Sequence, residues 1–376
     1  MNHKIAHFLS ENSPETPCLV VDLDLIGEAY DVLCRYLSIA SVYYAVKANP
    51  APEIIALLAG KGSNFDVASP AEIALALANG ALPEHLSFGN TIKKEKDIAF
   101  AYEAGVRLFA FDSEAELAKL ARRAPGARVF CRILVSCEGA DWPLSRKFGC
   151  TPELAVKLLA SARQLGLDPY GVSFHVGSQQ TDLGQWDRAI GAVAQMFTLL
   201  AETDIHLRML NIGGGFPAQY RGEIASIEQY AQAVTDALTR HFGNRLPEII
   251  VEPGRSLVGD AGIIQSEVIL IADKGDGGGK RWVYLDVGKF NGLAETMDES
   301  IRYRIEAPGR GEPSGPVIIA GPTCDSADIL YERTEYRLPL DLEVGDKVEI
   351  LSTGAYTASY SSVGFNGFPP LRTYCI

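Results

Sequence analysis

Short apolar runs alternate along the chain with longer stretches whose apolar residues recur every three or four positions. The runs at 41–46, 63–66, 85–88, 107–111, 127–135, 171–175, 209–212 and 248–251 have the length and the β-branched or aromatic content of buried strands. Between most of them, segments such as 70–78, 95–104, 113–124, 152–165, 185–201 and 227–242 carry apolar residues at i, i+3 and i+4, the stripe of an amphipathic helix. Ser69-Pro70, Asp112-Ser113 and Thr151-Pro152 place capping and first-turn residues where helices should start. About eight strands alternating with helices predict an α/β fold, a parallel (β/α)8 barrel, with an open doubly wound sheet as the alternative.

The pattern changes after Arg255. Period-two runs at 263–270, 281–287, 316–320 and 347–351 are divided by turn-rich stretches, Gly-rich at 273–280 and Gly/Pro-rich at 307–315. They predict a second, mainly antiparallel β domain. The segment Pro17-Cys18-Leu19-Val20-Val21-Asp22 is expected to add a strand to it. The expected division is a barrel over residues 23–260 and a β domain made of 1–22 and 261–376.

Composition narrows the possibilities by exclusion. Hydrophobic residues make up 47% and charged residues 22%, an ordinary globular balance. A formal charge of −13 argues against nucleic acid as a partner, because phosphate neutralisation needs concentrated Lys and Arg. No apolar run reaches the roughly 20 residues of a membrane span, and no signal-peptide pattern opens the sequence, so a cytoplasmic protein is expected. Seven scattered cysteines contain no Cys-x-x-Cys pair or Cys/His cluster, so no metal is expected.

Barrel active sites gather at the C-terminal ends of the strands. Those ends carry Lys47, Asp66, Asn90, Asp112, His175 with Ser178, the run Gly213-Gly214-Gly215, and Glu252 with Arg255. A lysine after an apolar strand is either a structural partner of a carboxylate or an amine made nucleophilic by desolvation, ready for an aldehyde cofactor. Asp66, one strand along, can orient or balance it. The glycine run is either a tight βα turn or a nest of N–H groups for a phosphate. Glu252 can pair with a ring nitrogen, Arg255 can clamp a phosphate, and His175 is a core histidine or a face for a cofactor ring. Farther along, Gly321-Pro322-Thr323-Cys324-Asp325 sets a thiol beside a carboxylate in a turn-rich loop, and Gly354-Ala355-Tyr356-Thr357 offers a tyrosine.

Taken together and in order, these motifs resemble one family, the fold-type III pyridoxal-phosphate decarboxylases of the alanine-racemase-like group. The matching stretches are Tyr44-Ala45-Val46-Lys47-Ala48-Asn49, Phe65-Asp66-Val67-Ala68-Ser69, Ser173-Phe174-His175-Val176-Gly177-Ser178, Gly213-Gly214-Gly215-Phe216-Pro217, Glu252-Pro253-Gly254-Arg255, the Cys324 and Tyr356 loops, and Phe365-Asn366-Gly367-Phe368. The resemblance implies that Lys47 holds pyridoxal phosphate as a Schiff base and that Asp66 lies beside it. It implies further that His175 stacks on the ring, Glu252 pairs with the pyridine nitrogen, and Ser178, Gly214, Gly215, Gly254, Arg255 and Tyr356 hold the phosphate. Cys324 would return a proton to the substrate, while Asp325, Asp298 and Phe365 would bind its distal end. Within the group the Cys324-Asp325 pair and the Phe365–Phe368 motif are similar to ornithine decarboxylases, which implies L-ornithine to putrescine, with L-lysine to cadaverine also open. Diaminopimelate decarboxylation, an amino-acid racemase and a non-catalytic homologue are the alternatives. The group also implies a homodimer in which Cys324, Asp325 and Tyr356 serve the partner's site. The chain departs from eukaryotic relatives at Pro143-Leu144-Ser145-Arg146-Lys147-Phe148-Gly149 and at Asp286-Val287-Gly288-Lys289-Phe290.

Overall fold

The computed structural model describes residues 3–142, 147–275 and 279–376, so Pro143–Arg146 of the departing segment, and part of the Gly-rich turn at 273–280, lie outside the described residues. The chain forms two compact units, Gly27–Pro217 with Ile224–Gly254, and Met1–Ile26 with Ala218–Glu223 and Arg255–Ile376.

The strands fall in chain order as β1 (Cys18–Val21), β2 (Ala40–Ala45), β3 (Asn64–Val67), β4 (Leu86–Phe88), β5 (Leu108–Phe111), β6 (Arg128–Arg132), β7 (Ala140–Trp142), β8 (Asp168–Ser173), β9 (Ser178–Gln180), β10 (Met209–Asn211) and β11 (Glu248–Val251). Among the described residues, β2, β3, β4, β5, β6, β8, β10 and β11 close into an all-parallel barrel, and the short β7–β9 pair lies apart from it. This is the barrel that the alternation of periods predicted, not the open sheet. Its strands are short and almost wholly buried because side chains fill the inside while helices cover the outside. Tyr43, Leu108, Ala110, Phe130, Met209 and Ile250, drawn from five strands, pack as one interior cluster with Tyr170.

Helix starts follow local chemistry. Ser69 accepts a hydrogen bond from Glu72 N–H, Pro70 occupies the first turn, and the helix runs Pro70–Ala78. Ser226 and Gln229 form a reciprocal capping box before Ile227–Phe242. Each such cap is worth about 1 kcal/mol and fixes where the strand-to-helix loop ends.

The other unit continues with β12 (Gly262–Ala272), β13 (Arg281–Leu285), β14 (Ile305–Glu306), β15 (Ser314–Ala320), β16 (Ile329–Pro339), β17 (Lys347–Leu351) and β18 (Arg372–Cys375). The sheet order is β14-β17-β12-β13-β15-β16, with β1 joined to both β12 and β18. Pairings are antiparallel except β13–β15 and β1–β18. The parallel β1–β18 ladder is extended at one end by Leu23 N–H to Ile376 O and Ile376 N–H to Val21 O, both 2.9 Å.

Candidate active site

Polar groups converge where the barrel strands end. The apolar run of β2 stops at Ala45, and a 3-10 turn over Val46–Ala48 follows. Tyr44 Oη donates to Asn49 O (2.9 Å), and Ala45 N–H donates to Pro253 O (3.0 Å). The first bond closes the turn on itself, and the second pins it to the segment after β11. Val46 and Ala48 are buried, yet the Lys47 side chain is half exposed. The turn thus leaves the amine half exposed beside the next strand. Its Nζ lies 3.4 Å from Oδ2 of Asp66, whose side chain is only 4% exposed. Burial pushes the Asp66 carboxyl up, and the Lys47 charge draws it back. Gly89 is required beside it, since a Cβ there would sit 1.9 Å from Asp66 Oδ1.

Glu252 follows β11 directly. Burial, reinforced by the Asp66 charge, pushes its carboxyl up from 4.5 to about 7, against the pull of Lys47, Asn211 and Arg132. Asn211, the last residue of β10, acts in two directions: its amide donates to Glu252 Oε1, and its Oδ1 accepts from Gly213 N–H at 2.9 Å. Glu252 N–H donates in turn to Gly213 O (2.8 Å). The glycine run and the carboxylate are thus one hydrogen-bonded assembly.

His175 Nδ1 accepts from Gly177 N–H (3.1 Å), so a neutral ring carries its proton on Nε2. Burial, with the charges of Arg132 and Lys47 adding, holds this imidazole well below its usual range, which keeps it neutral. Gly213 and Gly215 adopt φ of 67° and 102°, conformations that favour glycine. A Cβ on Gly214 would lie 2.6 Å from Glu252 O and 3.3 Å from His175 Nε2. Only a bare backbone fits between these residues. Ser178 starts β9, half-buried, and Gly254 is buried at the close of the same unit.

The remaining expected residues lie in the β unit. The Arg255 guanidinium is buried and doubly bonded to Glu295 (2.7 and 2.6 Å), with a further bond to Tyr220 Oη (2.7 Å). It also lies 4.9 Å from the centre of the Tyr356 ring, whose residue has φ 55°. Burial alone would lower its pKa, but Tyr220 and Glu295 outweigh burial and hold the guanidinium protonated. Asp298 is exposed with φ 53° and lines a cavity of about 530 Å³ with Lys289, Phe290, Met297, Ala327 and Tyr360. Cys324, Asp325 and Phe365 are all exposed in the single chain, and Cys324 touches Asn366.

Three residues of this chemistry were not singled out from the sequence. Arg132 ends β6 and its charge acts on Asp66, His175 and Glu252. Its signal was hidden because the apolar run continues through Ile133, Leu134 and Val135 after the strand has ended. Asn211 sits two residues before the glycine run and was legible as a polar residue ending an apolar strand. Glu295, forty residues from Arg255, had no local signal.

Comparison with known proteins points to one family. Residues 23–259 match the family model of the pyridoxal-dependent decarboxylase, pyridoxal binding domain. The chain is 35% identical to a lysine/ornithine decarboxylase of Selenomonas ruminantium over 98% of its own length and 91% of that protein's. It is 34% identical to the chloroplastic ornithine decarboxylase of Nicotiana glutinosa, covering 94% of this chain and 82% of the relative. The crystal structure of SrLDC in complex with PLP and cadaverine superposes with a TM-score of 0.89 at 34% identity, covering 100% of this chain and 94% of that one.

Proposed function

Because the chain belongs to the pyridoxal-dependent decarboxylase family, we propose that it removes the α-carboxylate of L-ornithine to give putrescine, and that L-lysine, giving cadaverine, is a second substrate. It is a carboxy-lyase that uses pyridoxal phosphate.

The residues at the barrel mouth fit that cofactor on their own chemistry. A bare glycine cradle beside Glu252 and His175 suits a flat ring bearing a phosphate. A desolvated carboxylate held by Asn211 suits a protonated ring nitrogen. When bound, pyridoxal phosphate supplies an electron sink for the pair left at the α-carbon. The chain does the rest. Lys47 offers the amine that anchors the aldehyde, and Asp66 orients that amine. Glu252 keeps the proton at the ring nitrogen, and neutral His175 offers its face without adding charge. Ser178, Gly214, Gly215 and Gly254 donate to the phosphate, with Arg255 and Tyr356 proposed as further ligands.

Substrate choice is assigned to the β unit. Asp325 and Asp298 carry exposed carboxylates suited to a distal ammonium, each contact being a charge-assisted hydrogen bond. Cys324 is the proton donor to the α-carbon, and Phe365 lines the distal end. We assign Cys324 and Asp325 to a site completed by a second copy of the chain, a reading supported by their exposure in the single chain; Tyr356, expected to join them, instead lies 4.9 Å from the Arg255 guanidinium of its own chain and is assigned with it. The extra methylene of lysine alters binding by only about 1–3 kcal/mol, which leaves room for both substrates.

The observation that carries this reading is the Lys47–Asp66 pair set beside the Glu252–Asn211–Gly213 assembly. The test is CO2 release from ornithine, lysine, diaminopimelate and arginine at matched concentrations. Release from ornithine, with or without lysine, is expected; no release from any of them, with cofactor bound, would refute decarboxylation. Mixing inactive Lys47→Ala and Cys324→Ala protomers should restore part of the activity, and no restoration would refute shared sites.

A further inference from the structure

Cys324 and Asn366 are 42 residues apart in sequence, yet Asn366 Oδ1 accepts the Cys324 N–H at 3.2 Å and lies 3.4 Å from Cys324 Sγ. We propose that Asn366 is a positioning residue that holds the Cys324 thiol in the one orientation from which it gives its proton to the substrate. This rests on the reading of Cys324 as the proton donor.

The need for such a residue follows from exposure. Cys324 is exposed in the single chain, so packing within its own chain does not select among the three staggered wells of its side chain. The Asn366 carbonyl is the acceptor that chooses one of them. Asn366 adopts φ 52°, a left-handed conformation that asparagine tolerates better than most residues and that turns its side chain toward the loop.

Both partners hang from the same short turn. On one side, the buried carboxylate of Asp328 accepts Lys289 N–H (2.8 Å), Thr323 N–H (3.1 Å) and the Thr323 hydroxyl (2.7 Å). This fixes the residue just before Cys324. Gly288 and Gly321 crowd that carboxylate, and a Cβ on either would come within 2.3 or 2.4 Å of Asp328 Oδ1. On the other side, Ser362 N–H donates to Phe290 O (2.8 Å), and the Phe290 and Phe365 rings meet at 4.8 Å. Lys289 and Phe290 are consecutive, so the thiol and its acceptor are measured from one anchor. The separation of Cys324 from Asn366 is therefore a property of the frame.

In the reaction the bond from the α-carbon to the carboxylate breaks and CO2 leaves. The electron pair finally forms a new C–H bond, whose proton comes from Cys324 Sγ–H. The thiolate left behind regains a proton from water, and no oxidant or reductant is required.

The test runs the holoenzyme in D2O and measures the stereochemical purity of the singly deuterated carbon in the amine product, alongside kcat and KM. Asn366→Gly removes the acceptor but suits the positive φ, and Asn366→Asp keeps an acceptor oxygen. We expect Asn366→Gly to lower kcat about 3- to 10-fold, the worth of one rotamer choice plus one neutral hydrogen bond. KM should change little, stereochemical purity should fall, and Asn366→Asp should restore both kcat and purity. Unchanged purity and kcat in Asn366→Gly would overturn the proposal. Cys324→Ala serves as the reference: if it loses purity while Asn366→Gly keeps it, the positioning role fails alone. If Cys324→Ala itself keeps full purity, the assignment of Cys324 fails and takes the proposal with it.

Discussion

Replacing Glu252 by glutamine is expected to make the cofactor-free protein more stable and the holoenzyme much slower. The folded carboxyl is pushed up to about 7 from 4.5, mainly by burial. Between those two values the folded protein keeps a proton that the unfolded chain has released. Stability therefore falls as pH rises from about 4.5 to about 7, and the full penalty is present above that. Raising a carboxyl across that interval corresponds to about 3 kcal/mol, an upper figure because Asp66 and Lys47 share in it. The glutamine side chain of the Glu252→Gln variant would keep an oxygen for the Asn211 amide and would carry no charge to desolvate. Thermal melting of cofactor-free wild type and variant at pH 5 and pH 8 is the assay. The variant should melt several degrees higher at pH 8 and close to wild type at pH 5. In the holoenzyme the same change removes the partner of a buried cation. Such losses cost about 3 kcal/mol or more, so kcat should fall about 100-fold or more at equal cofactor content. A variant that melts lower at pH 8, or a kcat within about threefold of wild type, would refute this account of Glu252.

Gly214→Ala would bring a methyl against Glu252 O and His175 Nε2; cofactor titration should show affinity weakened at least about 10-fold, the worth of one charge-assisted contact. Glu295→Ala strands the buried Arg255 guanidinium and should cost about 3–5 kcal/mol in denaturant unfolding, with a value below about 1 kcal/mol counting against the pair. Asp325→Ala should raise KM for ornithine about 10- to 100-fold through loss of a charge-assisted bond, as measured by CO2 release; an unchanged KM would remove Asp325 from the substrate site.

Much of the fold was legible because local and global signals agree. The helices Pro70–Ala78 and Ile227–Phe242 begin and end where the pattern places them; Ser69-Pro70 also marks the first start chemically, while the Ser226–Gln229 box of the second was not singled out from the sequence. Boundaries blur where polarity is silent. The run 127–135 is apolar beyond the strand, but β6 ends at Arg132. The helix Pro52–Gly60 is so apolar throughout that it has little helical period, and it was not singled out. In the site, single residues at strand ends were readable one by one: Lys47, Asp66, His175 and Glu252. Pairings across long separations were not, because Arg255 with Glu295 and Cys324 with Asn366 depend on how distant strands are registered.

The β1–β18 ladder has a consequence for how the molecule is made. Cys18–Val21 leaves the ribosome early, but its partner Arg372–Cys375 follows about 350 residues later. Its other neighbour, β12, is also more than two hundred residues away. The barrel segments can begin to close during synthesis, whereas this ladder has to wait for residues 372–375. Contacts so distant in sequence make folding slow, and until they form an apolar strand with two open edges is left without partners. The β unit should therefore be the last part to fold and the first to aggregate when translation is interrupted.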